Sequence, residues 1–268
     1  MNFQPAHAAH AIDKVSISID AQALVSSDEW LRVVERTIEF GRKQGLVGIE
    51  GFAAVGHNIQ PVRGMPMSFN TQVLSSGVGF RQESETLDPL FDVVSNRNSV
   101  KVESFSYVRW AGFKSLALEF LKHVLGAYPD DFPFVALNLQ YWDRFDSATL
   151  DGKWSEVFQE GRLPKWPLER NGNWHVHAGW FETLDRENCL MQLNVDTVDR
   201  IDIAPIGRRA TAHVLVGIPL NSGSSATILN NLEDMMEKAH DLSKKIYSQI
   251  LSPEMSERIS LLTPAQQS

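Results

Sequence analysis

The sequence predicts an α+β fold: an antiparallel β-sheet in two pseudo-related halves, each backed by a long amphipathic helix. Three observations support this prediction. Segments that alternate apolar and polar residues at period two, as half-buried strands do, occur in both halves of the chain. In each half, a segment with apolar residues at helical spacing follows a group of such strands. The strands are not separated regularly by helices, which disfavours a parallel sheet.

The first half covers residues 13 to about 130. A strand is predicted at 15–19, and a helix is predicted after Ser26, whose hydroxyl can cap the first turn. Short β-rich pieces follow, of which 99–107 is the clearest. A second amphipathic helix is predicted at 112–128, because apolar residues recur there every three or four positions.

The second half, about 131–262, opens with the strongest strand pattern of the chain, at 135–145. Further elements are expected as strands near 174–183, 188–198 and 209–220 and as a long helix at 226–250. Residues 13–262 are therefore predicted to form a single α+β domain. Residues 1–12 are expected to be a flexible N-terminal arm, and 263–268 a frayed tail.

Composition narrows the classes of partner and compartment. The 268 residues carry a net charge of -8, with a pI near 5.5, which makes a nucleic-acid partner unlikely because phosphate binding needs clustered Lys and Arg. Cys189 is the one cysteine, so no intramolecular disulfide forms and a cytoplasmic location is predicted. We find neither a secretory signal nor a run of about 20 apolar residues, so no membrane association is expected.

The stretch N-W-H-V-H-A-G-W-F-E places His175 and His177 on one face of a predicted strand, a spacing that suits a metal ion. With Glu182 it reads H-x-H-x-x-x-x-E, which resembles the first motif of cupin metalloenzymes. His213, on a later strand, could complete the site. This resemblance implies one divalent transition metal. Strict alternation puts Glu182 on the opposite face, unless a bulge at Gly179 returns it.

Other features favour a structural reading of these histidines. The glycines that cupins carry around this motif are missing, and long helices suit a cupin barrel poorly. The alternative is that the histidines are partly exposed polar positions on a sheet face, hydrogen-bonded to neighbours, with no cofactor. Both readings stay open from the sequence.

Tryptophans cluster between 142 and 180. Trp174 is assigned to the core, since it alternates with the histidines. Trp154 and Trp166 lie in an insertion and are candidate surface anchors for a protein partner, because Trp is enriched at binding hot spots.

Asp143 is the polar exception on an apolar strand face. Buried alone it would be destabilising, so it should have a partner such as an arginine or a backbone N–H. Arg109 or Arg144 could serve, although alternation places Arg144 on the other face. A structural salt bridge is the favoured interpretation, rather than a general base.

The stretch L-N-L-Q-Y-W-D-R-F, from Leu137 to Phe145, resembles the central strand of a sporadically distributed family of uncharacterised bacterial proteins. That strand reads roughly L-x-L-R-Y-x-N-R-I, so Gln140 and Asp143 depart from it. The order of elements before and after the strand is also similar. The resemblance implies a soluble bacterial protein of scattered distribution, as accessory and phage-defence genes have, and it implies no activity.

The sequence as a whole favours a non-enzymatic binding or accessory protein that acts through protein partners. The family resemblance suggests a role in phage defence, and the acidic charge suggests toxin neutralisation, in which an acidic protein masks a basic partner. The alternative is a metal-dependent, cupin-like enzyme that uses His175 and His177 with Glu182 or His213.

Overall fold

A computed structural model describes residues 1–49, 53–60, 68–170, 172–185, 187–201, 206–220 and 225–261; for 53–60, 68–76 and Trp166 only the backbone is described. The strands are β1 (Phe3–Pro5), β2 (Ile12–Ala21), β3 (Val47–Gly48), β4 (Ala53–Gln60), β5 (Ser68–Ser76), β6 (Val78–Glu83), β7 (Pro89–Asn96), β8 (Ser99–Ser104), β9 (Phe134–Ser147), β10 (Trp174–Leu184), β11 (Glu187–Arg200) and β12 (Gly207–Pro219). The helices are α1 (Ser27–Lys43), α2 (Trp110–Leu125), α3 (Lys165–Leu168), α4 (Ser225–Ile250) and α5 (Pro253–Arg258).

One antiparallel sheet runs through both parts of the chain. Its strand order is β10-β11-β12-β9-β2-β8-β7-β6-β3, with β1 paired to β9, while β4 and β5 form a separate hairpin. The central pair is β2 with β9, in which Ile17 lies opposite Leu139 and Ser18 opposite Asn138. This pair joins a first strand group, formed by β2, β8, β7 and β6, to a second, formed by β9, β12, β11 and β10.

The helices α1, α2 and α4 pack on one face of the sheet, and α2 contacts both of the others. The alternation of buried apolar and exposed polar side chains along β2 and β9 follows from this packing. Val15, Ile17 and Leu139 are fully buried beneath the helices. Gln140 and Arg144 occupy the opposite face, and both are partly exposed. Burial of the apolar set under the helices fixes the register, because a shift of one residue would exchange the two faces.

Local chemistry fixes α1 as predicted. Ser26 and Glu29 form a capping box, which satisfies free N–H groups of the first turn. On the inner face, the Thr37 hydroxyl lies 2.7 Å from that of Ser95 on β7. A Cβ at Gly41 would come within 2.5 Å of the Phe80 ring, so the close approach of α1 to β6 requires glycine there.

The prediction that residues 1–12 form a flexible N-terminal arm is wrong. Phe3 is fully buried, and β1 pairs with the end of β9, with Phe3 opposite Ser147. Ala11 is also fully buried, and its carbonyl accepts a hydrogen bond from the Arg144 N–H at 2.8 Å. The sequence missed this because three residues are too few for a period-two pattern to register.

The α+β class and the large antiparallel sheet are confirmed. The first strand group is backed by two helices, α1 and α2, rather than by one, while α4 lies over β9 and β12 of the second. The expected frayed tail at 263–268 lies outside the described residues. Among the helices described, none is both long and apolar enough to cross a membrane.

Candidate functional site

The two histidines of β10 lie on the sheet face away from the helices, and both are exposed. His175 lies opposite Asp196 of β11, with 2.6 Å between its Nδ1 and the carboxylate. His177 lies opposite Asn194 and hydrogen-bonds its side-chain carbonyl. Each imidazole therefore has a cross-strand partner of its own.

Glu182 does not join them, and its prediction as a metal ligand beside the histidines is wrong. The pairing of β10 with β11 runs without a register shift from Trp174 to Leu184, so no bulge occurs at Gly179. Glu182 therefore points to the opposite face. There its carboxylate binds Arg162 at 2.6 Å and Lys245 at 2.9 Å, and these cations hold the pKa of the carboxyl below its usual value.

His213 of β12 shares the open face but belongs to a hydrogen-bonded row. Asn194 lies 3.3 Å from His213 Nδ1, and Gln140 lies 3.1 Å from its Nε2. Trp142 stacks on the imidazole at 4.4 Å, and burial lowers the pKa of His213. Within the described ranges, no three His, Cys, Asp or Glu side chains are grouped so that they could hold a metal ion.

Trp154 is fully buried, so it is not a surface anchor for a partner and that prediction is wrong. Its ring lies 5.4 Å from that of Phe3 and 6.4 Å from that of Trp174, with the Arg208 guanidinium over it at 4.9 Å. The insertion folds back and uses Trp154 to close the core at the end of β9. The side chain of Trp166 lies outside the described part of the chain, so its predicted role is untested.

A cavity of about 280 Å³ opens on the helix side of β9, where the two strand groups meet. Five segments that are distant in sequence form its wall. Two of them are residues 9–12, which lead into β2, and residues 107–110, which lead into α2. The others are Tyr141 and Asp143 of β9, residues 259–261 after α5, and the α4 residues His240, Ser243, Lys244 and Tyr247.

Asp143 lies in the wall of this cavity and is 3% exposed. Burial raises the pKa of its carboxyl to about 8, and an interaction with the Tyr247 hydroxyl partly offsets this effect. Within the described residues, Oδ1 has no hydrogen-bond partner. The carboxyl is therefore mainly protonated at neutral pH, and one oxygen remains available to a ligand.

Neither arginine forms the salt bridge expected for Asp143. Arg144 lies on the other face, as alternation indicates, where it pairs with Asp13 at 3.0 Å and with Asp146 at 3.1 Å. Arg109 lies in the cavity wall and is exposed, and no ion pair joins it to Asp143 among the residues described.

Aromatic and imidazole groups complete the cavity. The Tyr141 hydroxyl lies 2.9 Å from His240 Nδ1, and the His240 ring stacks on Trp110 at 4.3 Å. Burial, with a smaller effect of Lys244, lowers the pKa of His240 to about 4, so this imidazole is neutral at pH 7. Burial also raises the pKa of Tyr107, Tyr141 and Tyr247.

The sequence contained a signal for this site. Asp143 stands out on an apolar strand face, Tyr247 is among the buried positions of α4, and the half-buried His240 follows the buried Ala239. Polar side chains on two apolar faces that must pack together point to a shared buried site. Periodicity alone could not show that the two faces meet at these residues.

The single cysteine offers no reactive alternative. Cys189 is fully buried, and burial raises its pKa, the opposite of what a thiolate nucleophile requires.

The chain matches no protein-family model, no curated protein and no solved structure.

Proposed function

We propose that this protein binds a small organic molecule in the cavity beside Asp143. The observation that carries the proposal is the buried carboxyl oxygen that has no hydrogen-bond partner in the described residues and lies in a cavity wall. An unsatisfied buried polar group destabilises a fold by about 1–3 kcal/mol. A ligand that hydrogen-bonds Oδ1 would remove this penalty.

The form of the cavity supports a small ligand. Its volume of about 280 Å³ lies just below the usual range for ligand pockets, which is roughly 300–1,000 Å³. Its wall combines tyrosine rings and aliphatic side chains with a few polar groups, the usual composition of such sites. A single metabolite of amino-acid size would fill it.

A thermal-shift screen of small metabolites tests the proposal. A ligand present at 100 times its Kd stabilises the folded state by about 2.7 kcal/mol, a readily measured increase in Tm. We expect such compounds to stabilise the wild type and His177→Ala, which alters only the open face, and to lose their effect on Asp143→Asn. If no compound distinguishes the two variants, the cavity is not a ligand site.

Binding to a protein partner is a second candidate, and exposed aliphatic side chains favour it. Val198, Ile201 and Ile206, at the end of the β11–β12 pair, are 47%, 60% and 56% exposed. Such clusters are typical of interaction sites. A basic partner would complement the net charge of -8. A pull-down from the native host should recover a partner that the Ile201→Asp/Ile206→Asp variant loses, and equal recovery by both would contradict this role.

We also propose that the two strand groups are related units. In the first, the order from the centre of the sheet is β2-β8-β7-β6; in the second it is β9-β12-β11-β10. Each unit therefore has its first strand beside the last strand of a three-strand meander, and each meander leads into a helix, α2 or α4. An experimental structure in which the two units fail to superpose would contradict the relation.

A further inference from the structure

We infer that the ligand of the Asp143 cavity is a small zwitterion of the amino-acid type, with its ammonium group at Asp143 and its carboxylate at Arg109 and Lys244. This inference rests on the proposed ligand-binding function and names the class of ligand. Asp143, Arg109 and Lys244 line the same cavity, none of them forms an ion pair with a described residue, and their arrangement carries the inference.

The floor of the cavity selects a hydrogen-bond donor. Asp143 Oδ1 is buried without a partner, whereas the tyrosine hydroxyls nearby already engage protein groups: Tyr141 with His240, and Tyr247 near the backbone carbonyl oxygens of Tyr141 and Ala212. An ammonium group supplies both the donor and the charge that favours an ionised carboxylate.

The aromatic wall suits the same group. Tyr107 and Tyr141 meet edge to face at 6.1 Å, and both line the cavity with Trp110. Faces of tyrosine and tryptophan attract organic cations within about 6 Å of the ring centre, most strongly where water is excluded. The buried end of the cavity therefore combines one acidic group with several electron-rich rings.

The mouth of the cavity favours a negatively charged group. Arg109 and Lys244 are both exposed, they come from different elements, and neither forms an ion pair within the described residues. A purely cationic ligand would be repelled by these two side chains on entry. A carboxylate at the outer end of the ligand would pair with them instead.

The ionisation of Asp143 gives the binding a definite pH dependence. Its carboxyl, with a pKa of about 8, has to lose a proton to bind an ammonium ion, so affinity should rise about tenfold between pH 6 and pH 7 and level off as the pH passes 8. The other titratable and charged groups that face it from the surrounding elements are His10, Asp13, Tyr107, Arg109, Tyr141, His240, Lys244 and Tyr247. Of these, His240 has a pKa of about 4, and burial raises the pKa of all three tyrosines, so they do not titrate in this window.

The test uses the full chain and three matched sets of probes. These are the common α-amino acids, the amines that lack their carboxylate, and the acids that lack their amino group. We expect at least one amino acid to bind in isothermal titration calorimetry, with its amine and acid counterparts at least tenfold weaker. Asp143→Asn should weaken binding at least tenfold and abolish its pH dependence. Arg109→Gln/Lys244→Gln changes two exposed side chains and leaves the core intact. It should weaken binding of the amino acid but not binding of the amine.

Other results separate the two proposals. If no amino acid binds while another metabolite binds the wild type and not Asp143→Asn, the zwitterion inference is overturned and the ligand-binding function stands. If amine and amino acid bind equally, the role given to Arg109 and Lys244 is wrong. If no compound of any class distinguishes Asp143→Asn from the His177→Ala control, both proposals are overturned.

Discussion

Polar side chains have contrasting surroundings on the two faces of β9. On the open face, Gln140 ends a hydrogen-bonded row that reaches across β12 to β11, and Arg144 has two carboxylate partners. On the helix face, next to Arg144 in the same strand, Asp143 is buried with one oxygen unpartnered within the described residues. The polar side chains of the open face are partly exposed and pair with one another, whereas the carboxyl on the helix face is buried and has one oxygen without a partner in the described residues.

The difference teaches that residue type is a weaker guide to a site than the state of its hydrogen bonds. The H-x-H spacing of His175 and His177 is typical of metal sites, yet each imidazole has a neighbouring side chain as its partner. Asp143 belongs to no familiar motif. An unsatisfied buried group lowers the free energy of unfolding, so its presence in a folded protein calls for an explanation, and a ligand site is one such explanation.

The largest expected effect is that of Asp143→Asn on stability as a function of pH. The folded protein keeps the carboxyl proton up to about pH 8, whereas the unfolded chain releases it near 3.8, so wild-type stability falls as the pH rises between these values. Relative to the variant, the wild type should lose about 4 kcal/mol between pH 5 and pH 8. Urea denaturation of both proteins at the two pH values measures this difference.

A difference that does not change with pH would mean that Asp143 is ionised in the folded state. In that case a cation or a hydrogen-bond donor would have to contact the carboxyl in solution, and the contrast between the two faces of β9 would disappear.

His240 should give a smaller effect of opposite sign. Its folded pKa of about 4 is below the ordinary value of 6.5, so the unfolded chain takes up a proton first and stability is lost as the pH falls. Compared with His240→Gln, the wild type should lose about 2 kcal/mol between pH 7 and pH 5. Equal slopes for wild type and variant would show that this imidazole is solvated and titrates normally.

On the open face the effects should be smaller again. His213→Ala removes contacts to Asn194, Gln140 and the Trp142 ring, and we expect a loss of about 1 kcal/mol in the free energy of unfolding. His175→Ala, at a side chain that is 56% exposed, serves as the control and should change stability by less than about 0.5 kcal/mol. A larger loss of stability in His175→Ala than in His213→Ala would contradict this ranking of the two side chains.

The smallest expected effect concerns metal. Because Glu182 lies across the sheet from His175 and His177, the three cannot share an ion. We expect added Zn²⁺ to change the Tm of the wild type and of His175→Ala/His177→Ala equally. A stoichiometric ion, retained by the purified wild type and lost in the double variant, would restore the metal-site prediction.

Much of the fold could be predicted because its signals are local. The alternation along β9, the capping box of α1 and the apolar stripe of α4 each depend on residues a few positions apart, and the corresponding elements lie within a few residues of their predicted bounds. The order of strands depends on which segments meet in space. No local pattern indicates that β2 pairs with β9, or that β1 closes against the end of β9.

The candidate site was predicted less well for the same reason. Asp143 was identified as anomalous, but its environment is formed by His240 and Tyr247, about one hundred residues later in the chain. Charge suggested an arginine partner, whereas the structure gives it a tyrosine. Trp154 was mistaken for a surface residue because an insertion reads as exposed, although this one folds back onto Phe3.

The wall of the cavity includes residues 9–12 and residues 259–261, which lie close together although about 250 positions separate them. During synthesis on the ribosome, the first of these segments emerges long before the last. β2, β9 and the intervening strands can therefore pair while the cavity still has an open side. The cavity can be completed only after residues 259–261 have been released from the exit tunnel, so a stalled nascent chain would already carry the sheet but would lack one side of the cavity wall.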